Sequence, residues 1–325
     1  MKPIKLYFAA VWGGCSNERM FNLINAGVKN VLVSYIYPDQ FKGWINNIPL
    51  DMEGNIIVDS GAFTAWNKGK LINLDNYIKY AHQIINEVSK FSNQKVYIVN
   101  LDVIPGIVGQ TQSLTRNRKF ENIELIERAA NAGFQNMKEM IKQGIKPIHV
   151  FHQGESWKWL DKMLEYIDYI GISPANDVST NERNQWMLSV FEYLYRNNVN
   201  VDTHGFAVTN KKILLNLPWT SCDSASWKIS AGMGAIYYPQ GGFKNSNFSK
   251  SALVCTVSDR KIKKGTGYLT SNFLKLLEQD GYSYDDLQQF QMRALINVRY
   301  FLELEKWLNV KKSNIVFKIR NNLGL

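Results

Sequence analysis

The chain has 325 residues, a net charge of +10 and 45% hydrophobic residues. That length can bury one barrel-sized core, and no apolar run approaches the ~18–20 residues a membrane span needs. The start, Met1-Lys2-Pro3-Ile4-Lys5-Leu6, carries no export pattern, and Cys15, Cys222 and Cys255 show no CxxC spacing. A cytoplasmic protein with free thiols and no membrane association is therefore expected.

Taken in chain order, β-rich apolar runs fall at 6–12, 30–37, 55–59, 96–104, 147–153, 169–174, 200–208 and 219–224. Helical patterns lie between them at 17–26, 39–45, 75–90, 121–143, 156–167, 181–196 and 210–215. Strands rich in Val and Ile, without clean polar alternation, are expected where helices cover the sheet. Eight strands alternating with helices predict an α/β fold, a (β/α)8 TIM barrel forming a single domain over 1–325. An open dinucleotide-binding sheet is the alternative, but Trp12-Gly13-Gly14-Cys15-Ser16 lacks GxGxxG spacing. Residues 228–270 read as a long basic, Gly- and aromatic-rich excursion above the barrel mouth, or as a small β-element. Helices at 271–279 and 284–308 then close the fold.

The charge is uneven. From Lys228 to the end the chain has 15 Lys/Arg against 7 Asp/Glu, leaving only +2 for everything before. A basic end on a nearly neutral body predicts a polyanionic partner, with nucleic acid the first candidate and a solvated Lys-rich surface the alternative. Lys228, Arg260, Lys261, Lys263 and Lys264 are the expected phosphate contacts, and Tyr237, Tyr238 and Phe243 are either base-stacking platforms or the core of the excursion.

Barrel enzymes present their chemistry at the C-terminal ends of strands. Those ends here carry Asp59-Ser60-Gly61, Asn100-Leu101-Asp102, His152-Gln153-Gly154-Glu155, Gly171-Ile172-Ser173, His204-Gly205 and Asp223-Ser224. Each has a purely structural alternative. Asp59 and Asp223 can be helix N-caps, Asp102 can organise a turn, His204 can be a satisfied core histidine, and Gln153 can bond to a neighbouring strand. His82 and His149 read as structural. His149 and His152, three apart on a strand, point to opposite faces, and no cysteine cluster suits zinc, so no metal and no cofactor are expected. Two acids across a barrel mouth suit glycosyl transfer, one as nucleophile and the other handling the leaving group's proton.

Together, Val58-Asp59-Ser60-Gly61-Ala62-Phe63, Asn100-Leu101-Asp102, His152-Gln153-Gly154, Tyr169-Ile170-Gly171, His204-Gly205-Phe206-Ala207-Val208 and Cys222-Asp223-Ser224 resemble the tRNA-guanine transglycosylase superfamily. The resemblance implies a (β/α)8 barrel in which Asp223 is the nucleophile at ribose C1′ and Asp59 the general acid/base. It implies that Asp102 and Gln153 bind the edge of the base, with Gly171 offering backbone contacts; Ser60 and His204, at the same strand ends, are further expected substrate contacts. Members acting on tRNA usually carry a Cys-x-Cys-x-x-Cys…His zinc site after the barrel. Here Cys255 is the sole cysteine after Asp223, and no later histidine exists. The chain is thus more similar to the divergent branch, found in phages and bacterial modification clusters, that exchanges guanine in DNA for a 7-deazaguanine.

The expected partners are DNA in preference to tRNA, and a free 7-deazapurine base. A homodimer is a further expectation, since members of the superfamily often dimerise. A DNA glycosylase, in which water resolves the Asp223–sugar ester, needs the same two acids and stays open as an alternative, as does a tRNA-guanine transglycosylase. A non-catalytic nucleic-acid-binding barrel is a third. Phe63, Trp66 and Trp227 are the aromatics nearest the two acids in sequence.

Overall fold

The computed structural model describes residues 2–12, 17–109, 120–259 and 269–322. Eight strands, β1 (Lys5–Ala9), β2 (Asn30–Ser34), β3 (Asn55–Asp59), β4 (Lys95–Ile98), β5 (His149–His152), β6 (Tyr169–Ser173), β7 (Asp202–Gly205) and β8 (Ser221–Ser224), form one sheet. Its order is β4-β3-β2-β1-β8-β7-β6-β5, with every pair parallel. The sheet is curled in the manner of a TIM-like fold. Its first and last strands, β4 and β5, are followed and preceded by a parallel bridge between Val99 and Ile148. There the Ile148 N–H donates to Ile98 O and the Asn100 N–H to Ile148 O, each at 2.8 Å.

Helices α1 (Asn17–Asn25), α2 (Pro38–Ile45), α3 (Ala62–Asn67), α4 (Leu74–Phe91), α5 (Phe120–Lys142), α6 (Trp157–Leu164), α7 (Thr180–Arg196), α8 (Lys211–Asn216) and α9 (Ser226–Gly232) follow the strands. Their starts are signalled locally. Asn73 accepts from the Asn76 N–H before α4, Asn210 accepts from the Lys212 N–H before α8, and Ser179 with Glu182 forms a capping box for α7.

Alternation along the strands sorts side chains into two cores. Leu6, Phe8, Val31, Val33, Ile56, Val58, Phe151, Ile170, Ile172 and Cys222 pack outward into the main cluster under the helices. Tyr7, Ala9, Leu32, Ile57, Val99, Ile148 and Val150 form a second cluster, with Tyr97, Tyr169, Phe206 and Ala225 packed against it. This second cluster is the inner face of the curled sheet.

Beyond α9 the described part of the excursion, up to residue 259, contains the small β-element. Strand β9 (Ala235–Tyr238) pairs antiparallel with β10 (Leu253–Thr256). Helices α10 (Ser271–Gln279), α11 (Tyr284–Gln288) and α12 (Phe290–Asn322) follow. The single helix expected at 284–308 is broken because Gln289 is extended, with φ −87° and ψ 126°. Asn297 on α12 ties the layer together, donating to Trp227 O at 2.9 Å and accepting from the Tyr237 N–H at 2.6 Å.

Candidate active site

Asp59 is the last residue of β3, two positions beyond inward-facing Ile57, so its carboxyl faces the inner side at the strand's C-terminal end. Gly61 follows in a left-handed conformation, φ +71°, and donates its N–H to Asp59 Oδ2 at 2.9 Å. A Cβ there would sit 2.7 Å from Ser34 Oγ and 2.8 Å from Ile36 Cγ1, so only glycine permits this turn. Removal from water pushes the Asp59 carboxyl up to about 7, and the nearby Asp102 adds to the effect. The Gly61 N–H pulls the other way, and Asp223 contributes a further upward push. The three carboxylates therefore share one electrostatic neighbourhood.

Asp223 lies within β8 and is buried. It does not cap the helix that follows: α9 starts from Ala225 without a side-chain cap bond. Instead Asp223 Oδ1 accepts from the Ala207 N–H at 3.0 Å and faces His204 Nε2 at 3.3 Å. Ala207 holds φ 53°, a left-handed conformation costly for a residue with a Cβ, and this turn aims its N–H at the carboxylate. Asp59 is not a side-chain cap either, since α3 starts from Gly61 with no such bond. Neither acid is therefore the helix N-cap that sequence alone allowed.

Asp102 sits just past β4, with Oδ2 3.4 Å from His152 Nε2. The other ring nitrogen of His152, Nδ1, lies 3.1 Å from Glu155 Oε1, and the His152 backbone N–H donates to Glu155 Oε2 at 3.1 Å. Carboxylates only accept, so an imidazole between two of them is best satisfied with both nitrogens protonated. Burial alone would lower the His152 pKa, but Asp102 and Glu155 together raise it well above the usual histidine value. His149 turns the other way, its Nδ1 2.8 Å from Asn100 Nδ2, in agreement with the opposite faces expected for the two histidines.

Other expected site residues have different surroundings. Gln153 falls on the opposite parity from His152, and its Oε1 accepts from the Ala175 N–H at 3.1 Å, so its carbonyl is occupied by backbone rather than offered to a base. Ser60 is buried and accepts from the Ala62 N–H at 3.4 Å, a local turn contact. Gly171 is inward, but a Cβ on it would lie 2.6 Å from Phe206 Cε2. Its bareness makes room for that ring. His204 is 0% exposed and reaches Asp223, not the open mouth.

Lys228 donates to Ala10 O at 2.8 Å and lies over the Trp12 ring, so it is anchored against the sheet rather than offered to a phosphate. Arg260, Lys261, Lys263 and Lys264 lie outside the described residues. Tyr238 and Phe243 are buried and Tyr237 stacks on Tyr300, ring centroids 5.6 Å apart. These three are the core of the excursion and not a stacking platform. Of the aromatics next to the acids, Trp227 is core, its Nε1 donating to Ala9 O at 2.9 Å, and Trp66 is buried. Phe63, in the first turn of α3, is 54% exposed.

Sequence reading named His152 and Glu155 at a strand end and Phe206 and Ala207 within a motif, but gave none of the four a role in the site. Strand alternation carried the signal for the first, since His152 shares parity with inward Val150. Among the described residues no group of three or more His, Cys, Asp or Glu is arranged to hold a metal ion. No family model and no curated protein sequence matches the chain.

Proposed function

We propose that the chain is a base-exchange glycosyltransferase acting on nucleic acid, with guanine in DNA replaced by a 7-deazaguanine. The carrying observation is a pair of acids in contrasting surroundings at one end of the sheet. Asp59 is desolvated so that its carboxyl holds a proton near neutral pH, and Asp223 receives hydrogen bonds on one oxygen. A desolvated acid that can give up a proton, near a carboxylate fixed by hydrogen bonds, is what an acid and a nucleophile require. Asp223 attacks C1′ as the C1′–N bond breaks, and the departing base takes its proton from Asp59. A second base then attacks C1′, displaces Asp223 and returns a proton to Asp59.

Three further observations support the reading. The bridge between Val99 and Ile148 supports closure of the sheet into a (β/α)8 barrel, whose C-terminal face is where such chemistry sits. Asp102, held on one oxygen by His152, has its other oxygen for N–H donors on the edge of a base. The charge of +10 favours a polyanion, and exposed Phe63 beside Asp59 offers a face for a base taken out of the stack. DNA is preferred to tRNA because the chain lacks the cysteine set of tRNA-acting proteins it resembles.

The test is incubation of the full chain with labelled 7-deazaguanine bases and either duplex DNA, single-stranded DNA or tRNA. Label entering DNA, together with a covalent protein–DNA species on a denaturing gel, is expected. Label in tRNA alone overturns the choice of nucleic acid. Abasic sites formed without added base would replace exchange by excision. No transfer, no excision and no adduct would end the glycosyl-transfer reading.

A further inference from the structure

Asp223 is the upper end of a hydrogen-bonded chain that descends along the inner face of the sheet. The Tyr169 hydroxyl is 2.5 Å from Ser221 Oγ, Ser221 Oγ is 2.6 Å from His204 Nδ1, and His204 Nε2 is 3.3 Å from Asp223 Oδ1. Ser221 is 1% exposed and His204 0%, and Tyr7 and Phe206 meet the histidine ring edge-on at centroid distances of 5.7 and 4.5 Å. The ring is thus gripped on both sides and bonded at both nitrogens. The Ala207 N–H reaches the same carboxylate oxygen at 3.0 Å. Among the described residues no hydrogen bond reaches Asp223 Oδ2.

An ionised carboxylate can only accept, so the hydrogen between His204 and Asp223 belongs to Nε2. A neutral ring then accepts at Nδ1 from Ser221, and Ser221 accepts from Tyr169. Every donor in the chain points up toward one oxygen. Serine hydrolases use the same trio of residue types, but with the serine at the open end. Here Ser221 is at the sealed end and the acid at the mouth, so the serine is support and the carboxylate is the reacting group.

We propose that His204, Ser221 and Tyr169 are positioning residues which, with the Ala207 amide, tie down Asp223 Oδ1 and present Oδ2 as the attacking atom. The proposal rests on the glycosyl-transfer reading and deepens it. An Oδ2 lone pair forms the bond to C1′ while the C1′–N pair leaves with the base, which is protonated by Asp59. When the second base attacks, the C1′–Oδ2 pair returns to Asp223 and the base's N–H proton to Asp59. Fixing one oxygen removes carboxylate rotation before the attack, which is where orientation contributes to rate.

Two measurements test this, one of them needing no substrate. In the full chain with ¹⁵N-labelled histidine, long-range ¹H–¹⁵N spectra should show the neutral His204 ring as the Nε2–H tautomer. The Nδ1–H tautomer would overturn the chain. In the exchange assay His204→Leu should lower kcat ~10²-fold with KM changed less than about threefold. His204→Gln, whose amide nitrogen can replace Nε2, should recover most of that loss, and Ser221→Ala should cost about tenfold. Wild-type rates in His204→Leu and Ser221→Ala would overturn it as well. If wild-type protein shows neither exchange nor excision, the functional reading falls, while the tautomer still decides the geometry of the chain.

Discussion

The two ends of the sheet use similar residues for opposite purposes. At the end where strands begin, Lys5 Nζ donates to Asn55 Oδ1 at 3.4 Å and Asn55 donates to Asn30 at 2.6 Å. Asp202 there meets Lys2 Nζ at 2.7 Å and accepts from Thr220 Oγ1 at 3.0 Å. Asp168 pairs with Lys146 at 2.8 Å, which holds its carboxyl below the usual range. At the end where strands finish, Asp59 and Asp223 form no ion pair with Lys or Arg among the described residues. Backbone N–H groups and a buried histidine bond to them instead. An acid paired with a lysine is neutralised and contributes to the fold. An acid left desolvated beside other acids costs stability and gains reactivity, and on this contrast the proposed chemistry rests.

The strongest way to break that contrast is to neutralise the upper acids. Asp223→Asn should abolish the covalent adduct and lower exchange by at least ~10⁴-fold, as removal of a nucleophile does elsewhere. Asp59→Asn should lower exchange ~10²–10⁴-fold, the range for loss of a general acid. Wild-type kcat/KM should fall as pH rises above about 7, because Asp59 then loses the proton it donates. Stability follows the same group. With its folded-state pKa raised, native Asp59 holds a proton that the unfolded chain has already released, so stability declines as pH rises from about 4 to about 7. Asp59→Asn removes that decline and should raise unfolding free energy at pH 8 by up to ~4 kcal/mol, partly offset by the weakened Gly61 bond. A variant less stable than wild type at pH 8 would contradict the desolvated carboxyl.

Much of this was legible before any coordinates. Apolar runs that stop on Asp59 and at Asp223 located the strand ends, and the eight strands appear in the expected places, though mostly shorter. Alternation, carried through, would also have selected His152 over Gln153, since only the former shares parity with Val150. What stayed hidden depends on distant partners. Tyr237 gives no local sign that Tyr300 and Asn297 on α12 will cover it, nor Lys228 that the Ala10 carbonyl awaits its ammonium. The helices α3 and α9 are six and seven residues long, too short to carry a readable period. The capping box of Ser283 with Asp286 opens α11, and the extended Gln289 ends it as a separate short helix.

A smaller effect sharpens the contrast at the upper end. His152 offsets negative charge there, lying between Asp102 and Glu155. His152→Gln leaves two carboxylates facing a neutral amide. The groups are partly exposed, so the expected destabilisation at pH 7 is about 1–2 kcal/mol by denaturant titration. The sign follows from the raised pKa: the imidazolium's contribution is complete below the ordinary histidine value and is lost only as pH passes its elevated folded value. The variant should also raise KM for the incoming base about tenfold, through looser placement of Asp102, with a smaller change in kcat. A change confined to kcat would assign His152 to the transfer step instead.

The smallest effect belongs to the lower end, and it is the one that makes the comparison quantitative. Asp202→Asn removes a carboxylate as real as that of Asp223, with a lysine 2.7 Å away, yet its partner Lys2 is 70% exposed. Solvent screens such a pair, and holding a long lysine side chain in place offsets much of the attraction, so the expected loss is below ~1 kcal/mol. The Thr220 hydroxyl can still donate to the amide oxygen, which limits the loss further. Exchange should stay within about twofold of wild type, because no step of transfer passes through that end. A rate loss approaching that of Asp223→Asn, at unchanged thermal stability, would mean that the two ends are not chemically distinct and that placement at strand C-termini had singled out the wrong acids.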